Sequence, residues 1–555
     1  MNKDNCKEKI MTKTFNLADL FEMVVDNVPA DREALICGDE KVTFQQLEDR
    51  ANQLAHYFQS RGVKAGEHIG LYMYNCNEYL EAMWACFKIR AVPVNVNYRY
   101  VKDELLYLFD NADMVAVVHG REFVPAIAEV REAAPKVHTY VAIDDDSQTN
   151  LDEIGSVAYG DAINGQATTR DFDQRSEDDL FILYTGGTTG MPKGVMWPHV
   201  ALFYAAMNGG GHFHADGPCK QPEDIIVRAK ENFQIRSMAL APLMHGACWW
   251  SACISTLAGH TVILNPCRSL NAEQVWGIVD KEKVNSISFV GDAMGIPLMD
   301  ALNENEGRWD LSSIFSVGSG GAVFSDSLQA KYKEKFDGVM ITNSWGSSET
   351  GQMGQDSGRA SDGLGAVEQS DFMNVIAEHE DGSHFFVTPG SDTMGIFSRS
   401  GHIPLGYYGD PIKTAKSFVE LDGQRWMLTG DMATISEDGL ISVYGRGSNC
   451  INSGGEKIFP EEVEQAIKSH PAVFDTLVVA TPDERFTEKV TAVVQIREGS
   501  SLTLEELQAH CRHHISGYKV PRQLHLTPEI ARAPSGKPNY QWASETALSK
   551  EYLAS

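Results

Sequence analysis

The chain has 555 residues, of which 43% are hydrophobic and 22% are charged, a composition typical of a globular protein. A chain of this length is too long for a single hydrophobic core. We therefore expect at least two domains. The formal net charge of -29 argues against nucleic acid and anionic membrane surfaces as main partners, because their phosphate groups would be repelled.

The N-terminal residues and the cysteines indicate the cellular compartment of the protein. The first residues carry charges but no apolar signal-peptide stretch, and Met11 is an alternative start to Met1. The ten cysteines form no C-x-x-C pair, which disfavours a zinc ribbon or redox motif and fits a reducing compartment. The sequence therefore predicts a cytoplasmic protein.

The first third of the chain alternates helical and strand patterns. TFQQLEDRANQLAHYF begins with a capping box from Thr43 to Gln46 and places apolar residues on one helical face. The strand HIGLYMY, the helix EYLEAMWACFKI and the strand AVPVNVN follow. Strand, helix and strand in this order predict an α/β fold, a mostly parallel sheet covered by helices.

One long segment in the middle of the chain is strongly apolar. Residues 237–267 contain no Asp, Glu, Lys or Arg and are long enough to cross a bilayer. Pro242, His245, His260 and several Gly and Ser residues interrupt the run, so we predict buried strand and helix around a pocket, with a transmembrane helix as the alternative.

The pattern changes near Arg446. A glycine- and serine-rich turn is followed by the helix PEEVEQAIKSH, the strands FDTLVVA and VTAVVQI, and the helix TLEELQAHCRHHI, which begins with a capping box. We predict a large N-terminal α/β domain over residues 1–446 and a small α+β C-terminal domain over residues 447–555.

The stretch YTGGTTGMPKG, residues 184–194, follows an apolar strand. Glycines let backbone N–H groups approach phosphate oxygens, hydroxyls add neutral donors, and a lysine adds a movable positive charge. The G-x-x-x-x-G-K-[ST] motif is absent. The candidate phosphate-binding residues are Thr185, Gly186, Gly187, Thr188, Thr189, Gly190 and Lys193.

This stretch resembles the signature of the adenylate-forming family, which includes acyl-CoA synthetases, luciferase-like enzymes and nonribosomal-peptide adenylation domains. The resemblance implies that the loop holds the β- and γ-phosphates of ATP, with Mg²⁺ near Thr185. Most members of the family have Ser where this chain has Gly186. One hydroxyl contact is therefore missing, while the backbone donors remain.

Further segments resemble the family in the expected order. APLMHGAC would place His245 at the border of the acyl pocket, where its role is assigned as catalytic. VGSGGAVFS would place Gly320, Gly321 and Ala322 against adenine.

The segment NSWGSSET resembles the family's aromatic-Gly-x-Thr-Glu element. Asn343, Trp345 and Gly346 are assigned to the nucleotide, with the Trp345 ring suited to stacking on adenine. Ser348 stands in the Thr position near the α-phosphate, and Glu349 would bind Mg²⁺, which prefers carboxylate and phosphate oxygens.

The resemblance continues through the predicted domain boundary. Asp431 would accept the ribose hydroxyl groups, and Arg446 would contact ribose and phosphate. The hinge position, usually Asp or Lys in the family, is Ser448, which offers no charge. Gly454 and Gly455 would lie on the side of coenzyme A.

The last motif, ARAPSGKPNYQWA, contains Lys537 on a glycine-containing turn. In the family this lysine reaches between the carboxylate oxygen and the α-phosphate. The small domain then rotates, withdraws the lysine and presents a tunnel for coenzyme A. The resemblance therefore implies a mobile C-terminal domain and a catalytic role for Lys537.

The resemblance implies an acyl-CoA synthetase that uses ATP, Mg²⁺ and coenzyme A. The sequences of several motifs are similar to those of bacterial acyl-CoA synthetases that act on long-chain fatty acids or sterol side-chain acids. Met244, His245, Trp249 and Trp250 suit a bulky hydrophobic acid, but they could equally belong to the core. A short-chain or aromatic acid, a luciferase-like oxygenase and a stand-alone adenylation domain stay as alternatives.

Two further segments contain histidines that could be metal ligands. HEDGSH, residues 379–384, does not fit H-E-x-x-H, and its Asp-Gly pair favours a turn. His212, His214 and Cys219 are three scattered donors for a metal, and an ordinary loop is the preferred interpretation. The oligomeric state is left open, with a homodimer as one candidate.

Overall fold

The computed structural model describes residues 13–185, 191–212, 214–230, 233–322, 324–355, 365–453, 456–483, 485–533 and 536–549. The chain divides into two units. The first unit draws its described residues from Met1–Tyr184, Gly194–Ile235 and Trp249–Pro266. The second draws them from Thr185–Lys193, Arg236–Cys248 and Cys267–Ser555.

The α-helices of the described residues are, in chain order, α1 (Leu17–Val25), α2 (Phe44–Ser60), α3 (Asn77–Lys88), α4 (Lys102–Asn111), α5 (Val124–Arg131), α6 (Tyr159–Ile163), α7 (His199–Met207), α8 (Asp224–Lys230), α9 (Gly246–Leu257), α10 (Ala272–Glu282), α11 (Gly291–Glu304), α12 (Asp326–Lys335), α13 (Pro411–Ser417), α14 (Pro460–Lys468), α15 (Leu504–Cys511) and α16 (Tyr540–Leu548).

The strands of the same residues are β1 (Glu33–Cys37), β2 (Glu40–Thr43), β3 (His68–Tyr72), β4 (Val92–Asn95), β5 (Met114–Gly120), β6 (Thr139–Ile143), β7 (Val157–Ala158), β8 (Leu180–Thr185), β9 (Lys193–Pro198), β10 (Arg236–Ala239), β11 (Thr261–Leu264), β12 (Ser286–Phe289), β13 (Ser316–Gly320), β14 (Met340–Ser347), β15 (Gly351–Gln355), β16 (Gly365–Glu368), β17 (Met373–Glu378), β18 (His384–Phe386), β19 (Gly395–Arg399), β20 (Gly406–Tyr407), β21 (Phe418–Leu421), β22 (Gln424–Ile435), β23 (Leu440–Arg446), β24 (Ile451–Ser453), β25 (Glu456–Ile458), β26 (Val473–Asp483), β27 (Thr487–Ile496) and β28 (Gln523–Leu526).

The first unit contains the predicted parallel sheet. Its strands run in the order β9-β8-β4-β3-β5-β6-β7, and β3 pairs in parallel with both β4 and β5. A separate group of strands in this unit runs β11-β1-β2. The predicted capping box begins α2, where the Thr43 hydroxyl accepts from the Gln46 N–H and the Gln46 side chain accepts from the Thr43 N–H.

The described residues of the second unit form three sheets. The first runs β15-β14-β13-β12-β10, with β10, β12, β13 and β14 parallel. The second is antiparallel and runs β16-β23-β22-β19-β17-β18, with β21 on β22. The third, in the C-terminal region, runs β25-β24-β27-β26, with β28 on β27. These sheets and their helices confirm the predicted α/β class with an α+β C-terminal region.

The C-terminal region has its own hydrophobic core. One cluster joins α14 and α15 to the sheet through residues such as Val463, Leu507 and Val478, all fully buried. A second cluster packs α16 against the other face of the same sheet. A domain can fold around such a core, but the boundary at 446/447 stays a prediction.

The apolar segment at residues 237–267 forms a strand, a helix and a strand, as predicted, because β10, α9 and β11 follow one another there. Among the helices of the described residues, none is both long and apolar enough to cross a membrane. The HEDGSH segment is a turn, in which Gly382 has a φ of +85° and the His379 N–H donates to the Ser383 carbonyl oxygen.

Candidate active site

The carboxyl edge of the parallel sheet in the second unit collects several predicted motifs. His245 follows β10, the Gly321 turn follows β13, and the hairpin with Glu349 follows β14. These strands are parallel, so the segments after them leave the same edge of the sheet. In open α/β sheets this edge is where ligands bind.

The loop predicted to lie against adenine, residues 320–322 and here called the adenine-side loop, lies beside the segment predicted to bind the nucleotide. Asn343 is the Cα partner of Ser319 in the β13–β14 pairing, and Gly320 is paired with Ser344. Gly321 has a φ of +83°, which only glycine adopts readily. The structure therefore brings the loop with Gly320, Gly321 and Ala322 together with β14.

A tight turn between β14 and β15 carries Ser348 and Glu349. The Ser347 N–H donates to the Thr350 hydroxyl at 2.9 Å, and the Glu349 N–H donates to the Ser347 hydroxyl at 3.2 Å. A Cβ at Gly346 would run into the backbone carbonyl oxygen of Gly351, so glycine is required there. The turn is therefore fixed by its own backbone and hydroxyl groups.

Two residues outside the predicted set support this turn. The Arg399 guanidinium donates to the carbonyl oxygens of Thr350 at 2.6 Å and Gln352 at 2.7 Å. Burial lowers the pKa of Arg399 to about 10. The Tyr407 hydroxyl donates to Oε1 of Glu349 at 3.2 Å.

The predicted ribose residues lie opposite each other. Asp431 on β22 is the Cα partner of Arg446, the last residue of β23. Gly430 has a φ of +82°, and the Asp431 N–H donates to the Thr429 hydroxyl at 3.0 Å. The strand pairing thus sets both predicted ribose contacts opposite each other where β23 ends, and Ser448 follows in a short 3₁₀ turn, Gly447–Asn449.

The turn with Lys537 lies next to the adenine-side loop. The Ala533 N–H donates to the Lys537 carbonyl oxygen at 2.9 Å, which closes the turn, and the Lys537 side chain is exposed. A Cβ at Gly536 would lie 2.9 Å from Cγ1 of Val290, and one at Gly321 would lie 3.9 Å from the same atom. The Lys537 turn and Gly321 thus both lie near Cγ1 of Val290.

The predicted phosphate-binding stretch, residues 184–194 and here called the phosphate loop, is described by the structure only at its two ends. Gly186, Gly187, Thr188, Thr189 and Gly190 lie outside the described residues, as do Gly454 and Gly455 on the predicted side of coenzyme A. Thr185 ends β8 and Lys193 begins β9.

Within the first unit, Asn95 fixes the strand that enters the loop. Its amide nitrogen donates to the Tyr184 carbonyl oxygen at 2.8 Å, and its amide oxygen accepts from the Tyr184 N–H at 2.7 Å. A Cβ at Gly194 would lie 2.7 Å from the Tyr184 ring, so glycine is needed there too.

His245 and Trp249, two residues predicted to suit a hydrophobic acid, differ in burial. His245 is half-buried in the turn before α9, where its N–H donates to the Pro242 carbonyl oxygen at 3.0 Å. Trp249, by contrast, is buried in the first unit, with its ring stacked on Phe181 at 4.2 Å between centroids. Of the two interpretations of Trp249, the core residue is the one that the structure supports.

The donor set around Glu349 fits Mg²⁺. The carboxylate is half-buried, Oε1 accepts from Tyr407, and Oε2 accepts no hydrogen bond from the described residues. A hard carboxylate oxygen of this kind is what Mg²⁺ prefers. Across the described residues, no group of three or more His, Cys, Asp and Glu side chains could hold a metal ion.

Sequence reasoning missed Asn95, Arg399 and Tyr407. Tyr407 stands in the glycine- and aromatic-rich run LGYYGDP, a signal of an ordered turn that could have pointed to it. Asn95 lies inside the predicted strand AVPVNVN and is the last residue of β4, and a polar amide within an apolar run is a signal that could have pointed to it. Arg399 carries no such signal, since its role depends on how β19 pairs with its neighbours.

The comparisons with known proteins cover nearly the whole chain. The model for the AMP-binding enzyme family matches residues 21–365, and the model for its C-terminal domain matches residues 462–537. The chain is 44% identical over 537 residues to the 3-oxocholest-4-en-26-oate–CoA ligase of Rhodococcus rhodochrous, covering 96% of this chain and 95% of the relative.

A second relative is the medium/long-chain-fatty-acid–CoA/3-oxocholest-4-en-26-oate–CoA ligase of Mycolicibacterium smegmatis, 44% identical over 534 residues, with 96% of each chain covered. Among solved structures, the anthranilate CoA ligase AuaEII in complex with anthranoyl-AMP aligns with a TM-score of 0.81 at 23% identity, covering 97% of this chain and 98% of that one. The chain therefore belongs to the AMP-binding enzyme family, the adenylate-forming family that its motifs predict.

Proposed function

We propose that the chain is an AMP-forming acyl-CoA synthetase that converts a hydrophobic carboxylic acid, ATP and coenzyme A into an acyl-CoA thioester, AMP and pyrophosphate. The prediction of an acid–thiol ligase is confirmed by the family and by relatives that match along nearly their whole length. The roles of the individual residues are part of the proposal.

The observation that carries the proposal is the position of the Lys537 turn. Gly536 lies against Val290, and Gly321 of the adenine-side loop lies against the same side chain. A lysine beside the nucleotide loop suits the first half-reaction, in which the acid attacks the α-phosphate.

The chemistry requires charge neutralisation. A carboxylate is a weak nucleophile, and its approach to ATP is opposed by like charge. Lys537 would hold the acid and the α-phosphate together, which lowers the electrostatic barrier and fixes the reacting groups. Asp431 and Arg446 would bind the ribose, and Thr185 and Lys193 would flank the pyrophosphate that leaves.

Mg²⁺, when bound, supplies positive charge to the phosphate oxygens. Glu349 is the described residue best placed to hold it, with Thr185 as a second candidate. Tyr407 would keep the Glu349 carboxylate oriented through its hydrogen bond. Ser348, beside Glu349 in the same turn, would donate to the α-phosphate, as the matching Thr does in the family.

The acyl substrate is a long-chain fatty acid or a sterol side-chain acid under this proposal. The two relatives described above are named for 3-oxocholest-4-en-26-oate, and one also for medium- and long-chain fatty acids. Met244 and His245, on the turn before α9, are the described candidates for the acyl side. A cytoplasmic location and a homodimer stay predictions.

The test is pyrophosphate release by the purified chain with Mg-ATP, across acids from acetate to long-chain and sterol side-chain acids, with and without coenzyme A. We expect release to depend on a hydrophobic acid, to turn over with coenzyme A, and to stop with EDTA. Lys537→Ala should lower the rate of release by between about a hundredfold and about a thousandfold, leaving a measurable residual rate, while Lys519→Ala, which removes another C-terminal lysine, should not lower it. Release without any acid, or turnover indifferent to coenzyme A, would refute the proposal.

A further inference from the structure

The Lys537 turn is held by a guanidinium group as well as by its own backbone. Nη1 of Arg532 donates to the Gly536 carbonyl oxygen at 3.1 Å, immediately before Lys537. Arg532 and Pro538 also form an isolated bridge between the two ends of the turn. The chain thus enters and leaves the turn at a point fixed by Arg532.

Arg532 is in turn fixed by Asp475 on β26. Its Nε and Nη2 each donate to one carboxylate oxygen of Asp475, both at 2.7 Å. The side chains are only 11% and 8% exposed, so water competes little for these bonds. A guanidinium can hold a carboxylate with two donors and still direct a third at a carbonyl oxygen, whereas a lysine ammonium lacks this planar fork.

A second cation makes the Asp475 carboxylate a stable anchor. Nζ of Lys468 lies 3.5 Å from Oδ1 of Asp475, and the Thr476 N–H donates to the same oxygen at 2.8 Å. Burial alone would raise the pKa of Asp475, but Lys468 and Arg532 hold it below its usual range. Arg532 therefore keeps a charged partner throughout the neutral pH range.

A further ion pair links Lys468 to α11, and Val290, the residue just before α11, is the one that the Lys537 turn contacts. Nζ of Lys468 lies 3.9 Å from Oδ2 of Asp292, in the first turn of α11. Oδ1 of Asp292 accepts from the Ser325 N–H at 2.9 Å, a few residues after the adenine-side loop. The turn thus has two attachments to this region, the Gly536 contact on Val290 and the ionic chain through Arg532.

We propose that Arg532 is a positioning residue for Lys537, and that Asp475 orients Arg532 for this task. The inference rests on the proposed function, because it takes Lys537 as the residue that acts on acid and ATP. Arg532 touches neither. It fixes the backbone from which the lysine side chain reaches, and it thereby raises the rate of adenylate formation.

The test separates the two half-reactions in the full chain. Adenylate formation is measured as pyrophosphate release from Mg-ATP and a hydrophobic acid that the parent accepts. Thioester formation is measured from the synthetic acyl adenylate of that acid and coenzyme A, a step from which the lysine is withdrawn. Arg532→Gln and Asp475→Asn should lower kcat of the first step by between about tenfold and about a hundredfold, as expected for a misplaced group. The second step should keep its parental rate.

The control is Arg497→Gln. Arg497 forms an ion pair with α11, through Nη1 at 3.1 Å from Oδ2 of Asp300, but no hydrogen bond joins it to the part of the Lys537 turn that the structure describes. This variant should leave the first step at its parental rate. Arg532→Lys, which keeps the charge and loses the fork, should restore part of the rate lost in Arg532→Gln.

A double variant distinguishes positioning from general stability. If Arg532 acts only through Lys537, Arg532→Gln in a Lys537→Ala background should cause no further loss. Equal losses in both half-reactions, or a further loss in the double variant, would overturn the inference. So would a parental first step in folded Arg532→Gln, while a strong effect of Lys537→Ala would leave the proposed function standing. Failure of the parent to form any adenylate would instead overturn the proposed function, and the inference with it.

Discussion

The Tyr407 hydroxyl and the Glu349 carboxylate are joined by a hydrogen bond of 3.2 Å. Tyr407 is itself held in place, because its N–H donates to the Thr414 hydroxyl at 2.9 Å and Lys413 lies 5.2 Å from the centre of its ring. The carboxylate proposed to bind Mg²⁺ thus has an orientation set by a buried aromatic residue that no motif pointed to.

Tyr407→Phe should raise the Mg²⁺ concentration needed for half-maximal adenylate formation by about three- to tenfold, since one hydrogen bond to a charged group is lost and its 3.2 Å length makes it a weaker one. Pyrophosphate release across a Mg²⁺ titration measures this. Tyr518→Phe, which removes the hydroxyl of an exposed tyrosine in the C-terminal region, is the control. An unchanged Mg²⁺ dependence in Tyr407→Phe would contradict the role assigned to the pair.

Asn95→Ala should destabilise the first unit by about 2 kcal/mol, because two buried backbone groups of Tyr184 lose their partners. It should also raise KM for ATP, since β8 leads directly into the phosphate loop. Urea unfolding and the ATP dependence of pyrophosphate release measure the two effects. Asn111→Ala removes only a bond to the Tyr184 hydroxyl, so its KM for ATP should stay at the parental value. Equal effects on KM in both variants would show that the two hydrogen bonds between Asn95 and the Tyr184 backbone do not influence ATP binding.

Gly346→Ala should nearly abolish adenylate formation. The added methyl group would meet the Gly351 carbonyl oxygen, a backbone atom that can yield only if the Glu349 turn moves, and a displaced catalytic group can cost about a hundredfold. Gly277→Ala is the matched control, because a Cβ there meets open space in α10 and should stabilise the helix by about 0.5 to 1 kcal/mol. Parental activity in Gly346→Ala would show that the turn adapts.

Local patterns predicted the local elements well. The capping boxes at Thr43 and Thr503 begin α2 and α15, and the apolar runs before the phosphate loop form parallel strands. These features depend on neighbours in sequence, on hydrogen bonds three residues apart and on strand periodicity. They are therefore visible without a structure.

The antiparallel sheet of the second unit was not predicted. Its strands are interrupted by polar and glycine residues, and their pairing joins segments far apart in the chain, such as β16 with β23. Arg399, on β19, contacts the Glu349 turn only because of this pairing, whereas Tyr407 lies on β20, outside this sheet. The Trp249 ring illustrates the same limit, since helical periodicity in α9 does not tell which face meets a pocket and which meets the core.

Two buried histidines of the first unit predict how stability depends on pH. Burial lowers the pKa of His119 to about 4 and that of His199 to about 4. His119 is held neutral between the Gly120 carbonyl oxygen at 2.8 Å and the Ser156 hydroxyl at 2.7 Å, while Nδ1 of His199 accepts from the Leu17 N–H at 3.2 Å. Both rings are therefore buried in the uncharged form.

Below a pH of about 6.5 the unfolded chain binds a proton on each of these residues, while the folded chain does not until the pH reaches about 4. Stability should therefore be fully present above pH 6.5 and fall as the pH drops towards 4, by up to about 1.4 kcal/mol per pH unit for each histidine. His119→Gln should reduce the pH dependence of the free energy of unfolding by the contribution of one histidine. Urea unfolding at pH 7.5, 6 and 5 measures this. His138→Gln, which removes an exposed histidine, should change the slope less. The same slope in His119→Gln and the parent would mean that His119 is protonated in the folded chain, in conflict with its buried, hydrogen-bonded position.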